Sequence, residues 1–280
     1  VLEGIPAVQD RHHFLDPTSG KGLSNGRPFT SGFFSTLSML EGGDSIRALL
    51  TGNAFDLTGT SALSWLRHKH NPHTLARFQE QLARAGTAPT PEERRHALAG
   101  ALLTLGSLLH VLQDQGSPTH VRNDYLVGHL QKLGSSLFAR GSAYERFVLA
   151  RYGRVGLPDY KGPAIERESV NAFFHHAKRW DGLADRTHLS HFSPGTVPPR
   201  LTLLPTAKAK EVRKRLASRL SYERPALGPI DFACARKGRC YQRGPHGPRL
   251  AYQLSDKGEL RFFMDYRCHA ASARHLLPLT

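Results

Sequence analysis

Thr90-Pro91-Glu92-Glu93 opens, and His110-Val-Leu-Gln-Asp114-Gln-Gly-Ser-Pro-Thr-His120 closes, the stretch whose reading decides the fold. Thr90 is suited to cap a helix, Pro91 to fill its first position, and Glu92 and Glu93 to meet the positive end of its dipole. Leu98, Leu102, Leu105, Leu109 and Leu112 then recur at spacings of three and four, which predicts a helix from Pro91 to about Gln115. Gly116 and Pro118 stop it. His110 and Asp114 are four residues apart, so they share one face near Leu102, Leu103, Leu109 and Val111. An imidazole and a carboxylate on an apolar face need a partner, because burying them bare costs several kcal/mol. A dication meets that need, and His120, returning just after the break, can approach it from a second side. The alternative is a capped helix end, with Asp114 held by the amides of Gln115 or Ser117 and both histidines in water.

Working outward, helical pattern begins near Ser45 and again over residues 60–67. Asn71-Pro72 reads as the start of a helix reaching about Ala85. Further helices are predicted over Ala143–Tyr152 and Glu166–Asp185, while residues 1–35 read as ordered loop. Beyond Pro198-Pro199 the composition shifts: residues 207–243 hold eleven Lys/Arg against three Asp/Glu, and short strand-like runs follow at 250–254 and 260–264. There is no internal repeat and no βαβ alternation. The fold class expected is all-α, a multi-helix bundle over residues 1–197. Residues 198–280 are expected to form an irregular basic extension, separate or part of the same domain.

The 280 residues are 39% hydrophobic, which excludes a wholly disordered chain. No stretch of 18 or more uncharged apolar residues occurs, which excludes a membrane-spanning helix. The net charge of +15 favours an anionic partner: nucleic acid, a phosphate ester or an acidic lipid surface. Sixteen histidines bring metal binding into consideration. Three cysteines without a CxxC argue against a thiolate zinc site; Cys234 and Cys240 are close enough for a short-loop disulfide in an oxidising compartment. The chain starts at Val1 and shows no charged segment followed by an apolar run, so the expectation is that a leader has been removed or that this is a fragment of a longer product.

His13-Phe-Leu-Asp16-Pro17 resembles the HF-aromatic-DP segment of the bacterial zinc-dependent phospholipases C. That family also has H-x-x-x-D followed by five residues and His, with a nearby Pro and a later Asn. His110, Asp114 and His120 keep that spacing, with Pro118 and Asn123 around them. Gly128-His129 and Tyr144-Glu145-Arg-Phe147 look similar to the segments that follow. Four segments in one order over residues 13–147 carry the resemblance, across about half the chain. It implies that His13, His110 and Asp114 bind one zinc, and that His120, His129 and Glu145 bind a second. Mixed His/carboxylate ligation with open positions suits catalytic zinc, which brings the pKa of water towards about 7 and neutralises phosphoryl charge. The fungal single-strand-specific zinc nucleases share the metal logic but lack HFxDP.

The departures are also definite. His129 and Glu145 are sixteen residues apart where the family usually has four. The family's third zinc uses an N-terminal Trp and an early His, bridged by the equivalent of Asp114; only twelve residues precede His13, so a third site would be missing or incomplete. Asp10, with Glu3 behind it, is the candidate for the family's acidic general base. The expected function is zinc-dependent hydrolysis of a phosphodiester, first of a phospholipid headgroup. The alternatives are a single-strand zinc nuclease, or an inactive metal-binding protein associating with anionic surfaces. Other histidines attract blander readings: His68-Lys-His70-Asn-Pro-His73 a solvated corner, one of His175-His176 facing solvent, and His188 and His191 satisfied within a loop. The basic stretch 208–219 is either an anionic-surface contact or a solvated helix face.

Overall fold

Thr90 caps the central helix of the computed structural model as its sequence predicts. Its hydroxyl accepts from the Glu93 amide, and the Glu93 carboxylate accepts in return from the Thr90 amide at 3.0 Å, a complete capping box. The structure describes residues 12–23, 59–124, 142–197, 201–202 and 228–280. The eight described α-helices, in chain order, are α1 (Ala62–Trp65), α2 (Leu75–Thr87), α3 (Pro91–Asp114), α4 (Ala143–Tyr152), α5 (Val170–Phe174), α6 (Leu183–Ser190), α7 (Phe232–Lys237) and α8 (Tyr266–Leu276). The described strands are β1 (Leu201–Thr202), β2 (Cys240–Gly244), β3 (Gly247–Leu254) and β4 (Glu259–Phe263).

The all-α expectation is therefore wrong: the fold is mixed α and β. Strands β2, β3 and β4 form an antiparallel meander, and the two-residue β1 pairs with β4 at its edge, in the order β1-β4-β3-β2. The cause is a change of hydrophobic period. Alternate residues Cys240 and Gln242 of β2, and Leu260 and Phe262 of β4, are buried, so these two strands cover a core with one face, whereas Leu250, Ala251 and Tyr252 of the central β3 are all buried. Gly258, at φ 74°, closes the turn between β3 and β4 in a conformation that a side chain would strain. The strand-like runs at 250–254 and 260–264 fall within β3 and largely within β4, so the described residues 228–280 form sheet and helix rather than an irregular extension.

Two cores result. One gathers Leu15, Ala62, Leu66, Val111, Val121, Phe174 and Ala184 beneath the helices. The other joins Phe192 and Val197 to Ile230, Leu250, Tyr252 and Leu260 of the sheet. The second core thus crosses the boundary expected near residue 198. Helix α8 packs against both β3 and α4, and the Cys234–Cys240 disulfide ties α7 to β2. Cys268 is the remaining thiol, buried on α8.

Other boundaries also differ from expectation. Helix α2 starts at Leu75 behind an N-cap at Thr74; Asn71 instead donates to Trp65 O at 2.8 Å and accepts from the His73 amide, building a turn. The helix expected over 166–185 is two short helices. Asp185, fully buried, accepts from the Gly182 and His176 amides and bonds the His175 ring at 2.6 Å. Those amides are drawn out of any continuous helix, and Trp180 adopts φ 53° in the reversal. Helix α3 is rotated from the orientation the leucine spacing suggests. Its buried positions are Ala97, Ala101, Thr104 and Val111, whereas Leu98, Leu102, Leu103 and Leu109 are exposed. Interruption by Thr, Gly and Ser hid its apolarity from a count of unbroken runs, yet by length and composition it suffices to cross a membrane. The helix expected near Ser45 lies outside the described residues.

Candidate metal centre

The loop carrying His13 is stitched between α1 and the end of α3. The Leu15 amide donates to His120 O at 3.2 Å, and Phe14 O accepts from the Ala62 amide at 2.9 Å. Asp16 folds the loop on itself, accepting from the Thr18 amide at 2.9 Å and from the hydroxyls of Thr18 and Ser19. Gly22 allows the close approach of residues 59–61, since a Cβ there would collide with Gly59 O and the Ser61 amide nitrogen. Gln115, fully buried at the end of α3, donates to both His13 O and Val111 O at 2.8 Å. The sequence points to no role for the Gln115 side chain, whose one signal is its place directly after the last residue of the helix.

That frame aims His13 at the end of α3. His13 Nδ1 lies 2.7 Å from Asp114 Oδ2 across 101 residues of sequence, and His110 Nε2 lies 3.5 Å from the same oxygen. One ligand atom from each of the three falls within 4.8 Å of the others, so the group is able to hold a metal ion. The spacing suits a small dication, whose ligands at about 2.0–2.2 Å stand roughly 3–4 Å apart. Asp114 is turned to His13 rather than to the amides of Gln115 or Ser117, which excludes the simple capped helix end. Burial works against the charge on Asp114, but His120, His13 and His110 together hold its carboxyl below the ordinary range. The His110 side chain is 63% exposed, leaving the group open on one side.

A second pair lies beside it. His120 is buried against Phe14, their rings stacked 4.6 Å apart, and its Nε2 is 3.2 Å from Glu145 Oε1. Ser117 Oγ donates to the same oxygen at 3.2 Å, while Glu145 Oε2 accepts from the Ser142 amide and caps α4. Glu145 is thus positioned by the helix it begins. Burial disfavours the imidazolium of His120, but Asp114 and Glu145 overcome this and push its pKa up to about 9. A pKa raised on folding stabilises the metal-free protein fully below the ordinary value of 6.5, and that contribution fades as the pH climbs through about 9. Glu145→Gln should therefore bring the His120 titration, followed by NMR, back toward 6.5, and lower bound zinc by about one equivalent. An unmoved titration with unchanged zinc would make Glu145 a helix cap alone. His129, Asp10 and Glu3 lie outside the described residues.

The other histidines are engaged elsewhere. His68 and His70 lie at a turn, their rings 5.3 Å apart. Neither member of His175-His176 is left to solvent: His175 pairs with Asp185 and His176 with Glu168 at 2.7 Å. His188 and His191 are interior, His188 beside Val121 O and His191 bonded to His275 at 2.9 Å and to Ser272. Neither belongs to the His13 group. The basic stretch 208–219 lies outside the described residues.

No family model matches the chain, and the searches of curated proteins and of solved structures returned no significant match.

Proposed function

We propose that this protein is a zinc-dependent phosphodiester hydrolase of the phospholipase C type, acting on a phospholipid headgroup ester. The observation that carries the reading is the convergence of His13 on Asp114 and His110, across 101 residues, at a spacing suited to a dication. The resemblance of HFLDP and of H-x-x-x-D-x5-H to the zinc-dependent phospholipases C selects zinc and the phosphodiester class. His13, His110 and Asp114 would hold one zinc, and His120 with Glu145 part of a second. Zinc there supplies Lewis acidity and water acidified towards neutral pH. The chain's own contribution is orientation: Gln115 and the Leu15 amide hold the His13 loop, and Ser117 steadies Glu145. The Cys234–Cys240 disulfide supports an oxidising, secreted or periplasmic setting.

The net charge of +15 favours a second reading, a nuclease on single-stranded nucleic acid. One experiment separates them. Purified chain is analysed for zinc by mass spectrometry, then assayed on a chromogenic phosphocholine ester and on single-stranded DNA, with zinc or with chelator. Chelator-sensitive turnover of the ester alone is expected; turnover of DNA alone would establish the nuclease. Zinc-free protein inert toward both would overturn the hydrolase reading and leave a protein that associates with anionic surfaces by charge.

A further inference from the structure

Helix α3 is apolar enough to cross a membrane, yet only 22% of its most apolar window is buried. It forms an antiparallel hairpin with α2, joined through Gln81, whose side chain accepts from Thr104 Oγ1 at 2.9 Å. No residue of α2 is buried, so among the described residues the hairpin has its outer faces uncovered and joins the helical core at the Val111 end. Along α3, Leu98, Leu102 and Leu109 stand in one row at 45, 58 and 47% exposure. Leu103, at 64%, lies on the row that His110 continues seven residues later. The exposed leucines therefore lead, past Gly106 and Ser107, to His110 of the candidate metal centre. Scattered surface leucines need no explanation, but four on one face of one helix form a patch of the kind that marks an interaction site. Residues 67–96, which include α2 and the first turns of α3, carry six Lys/Arg against three Glu. Arg94 is spent on Ala88 O and Pro89 O, at 2.7 and 3.0 Å, while Arg84 and Arg95 are exposed.

We propose that the leucine face of the α2–α3 hairpin lies on an anionic phospholipid bilayer and brings the His13–His110–Asp114 centre to the headgroups. Apolar residues on one face with arginines beside them is the pattern of a helix lying in the plane of a membrane interface. The charge of the hairpin and of the whole chain complements acidic lipid and opposes stacking two copies of the same basic face. The proposal deepens the phospholipase reading, and rests on it for the statement that the lipid is also the substrate.

The test is flotation of the full chain with phosphatidylcholine vesicles and with vesicles holding about a third phosphatidylglycerol, in zinc or in chelator. Binding to the anionic vesicles is expected in both states. L98Q/L102Q/L103Q should weaken it at least tenfold, and R84Q/R95Q should weaken it less and lose its salt dependence. Circular dichroism of the variants reports whether they fold; the substituted leucines are exposed, so the fold should persist. Turnover of a soluble phosphocholine ester should be unchanged in the leucine variant while turnover of vesicle lipid falls in parallel with binding. Undiminished vesicle binding would overturn the proposal. So would a leucine variant that merely dissociates a dimer by light scattering, which would assign the face to a second copy. Loss of vesicle binding with no turnover of either substrate would keep the docking surface and remove the phospholipase reading.

Discussion

Asp114→Asn is expected to abolish zinc uptake at the centre shared with His13 and His110, and to reduce phosphodiester turnover by about 10^3-fold or more. The reason is electrostatic before it is steric. Asn keeps the size and one oxygen but removes the charge that two imidazoles and, at longer range, His120 are gathered around. A neutral amide in that position leaves His13 without its carboxylate partner at 2.7 Å. Because a carboxylate partner also orients the ring it bonds, loss of affinity and loss of geometry arrive together. The measurements are zinc stoichiometry and turnover of the chromogenic ester. Zinc retained at full stoichiometry with normal turnover would show that the group is an ordinary ion pair between the His13 loop and α3.

The same substitution should also lower the His120 pKa, because Asp114 is the foremost group raising it. That gives the centre a coupled character. Taking a metal at His120 means displacing a proton that Asp114 and Glu145 hold up to about 9. Zinc binding there should release protons below that pH and strengthen as the pH rises, whereas Glu145→Gln should flatten the dependence.

How much of this was legible depended on range. The capping box at Thr90, the start and stop of α3 and the whole of α4 are local, written in residues three or four apart. The partnership of His110 with Asp114 is equally local. That of His13 with Asp114 is not: no periodicity connects residues 101 apart, and only the likeness of HFLDP to a known metal-binding segment brought them together. The sheet was half legible. The inner residues of β2 and β4 alternate but β3 buries three in a row, the runs are short, and a strongly basic surrounding sequence drew the reading toward an irregular tail. The broken helix between residues 166 and 185 was hidden for another reason. Asp185 reads as an ordinary polar residue on a helix, and only burial turns it into the acceptor that pulls His175, His176 and Gly182 into a turn. The rotation of α3 was misjudged because small residues carry no hydrophobic weight. Ala97, Ala101 and Thr104 are among its buried positions, while Leu98, Leu102, Leu103 and Leu109 face out.

Arg122→Ala should be the most damaging change away from the candidate centre, costing about 3–5 kcal/mol of stability and the order of the His120 turn. Arg122 is fully buried two residues beyond His120, on the short turn that presents that ring. Its Nε donates to His191 O at 2.8 Å and an Nη to His188 O at 2.7 Å, so one guanidinium binds the end of α6. The same group lies 5.5 Å over the Phe192 ring, and Phe192 belongs to the sheet core. One side chain therefore links the turn bearing His120, the end of α6 and the C-terminal sheet. Its removal takes a donor from the carbonyls of His188 and His191, leaves space beside Phe192 and loosens the turn that holds His120 against Phe14. Arg122→Lys keeps the charge but not the fork, and should restore little. The readouts are a urea unfolding midpoint and zinc stoichiometry in the folded baseline. If the protein unfolds at the wild-type midpoint and binds zinc normally, the turn is held by its own backbone bonds, and the guanidinium is incidental to both cores.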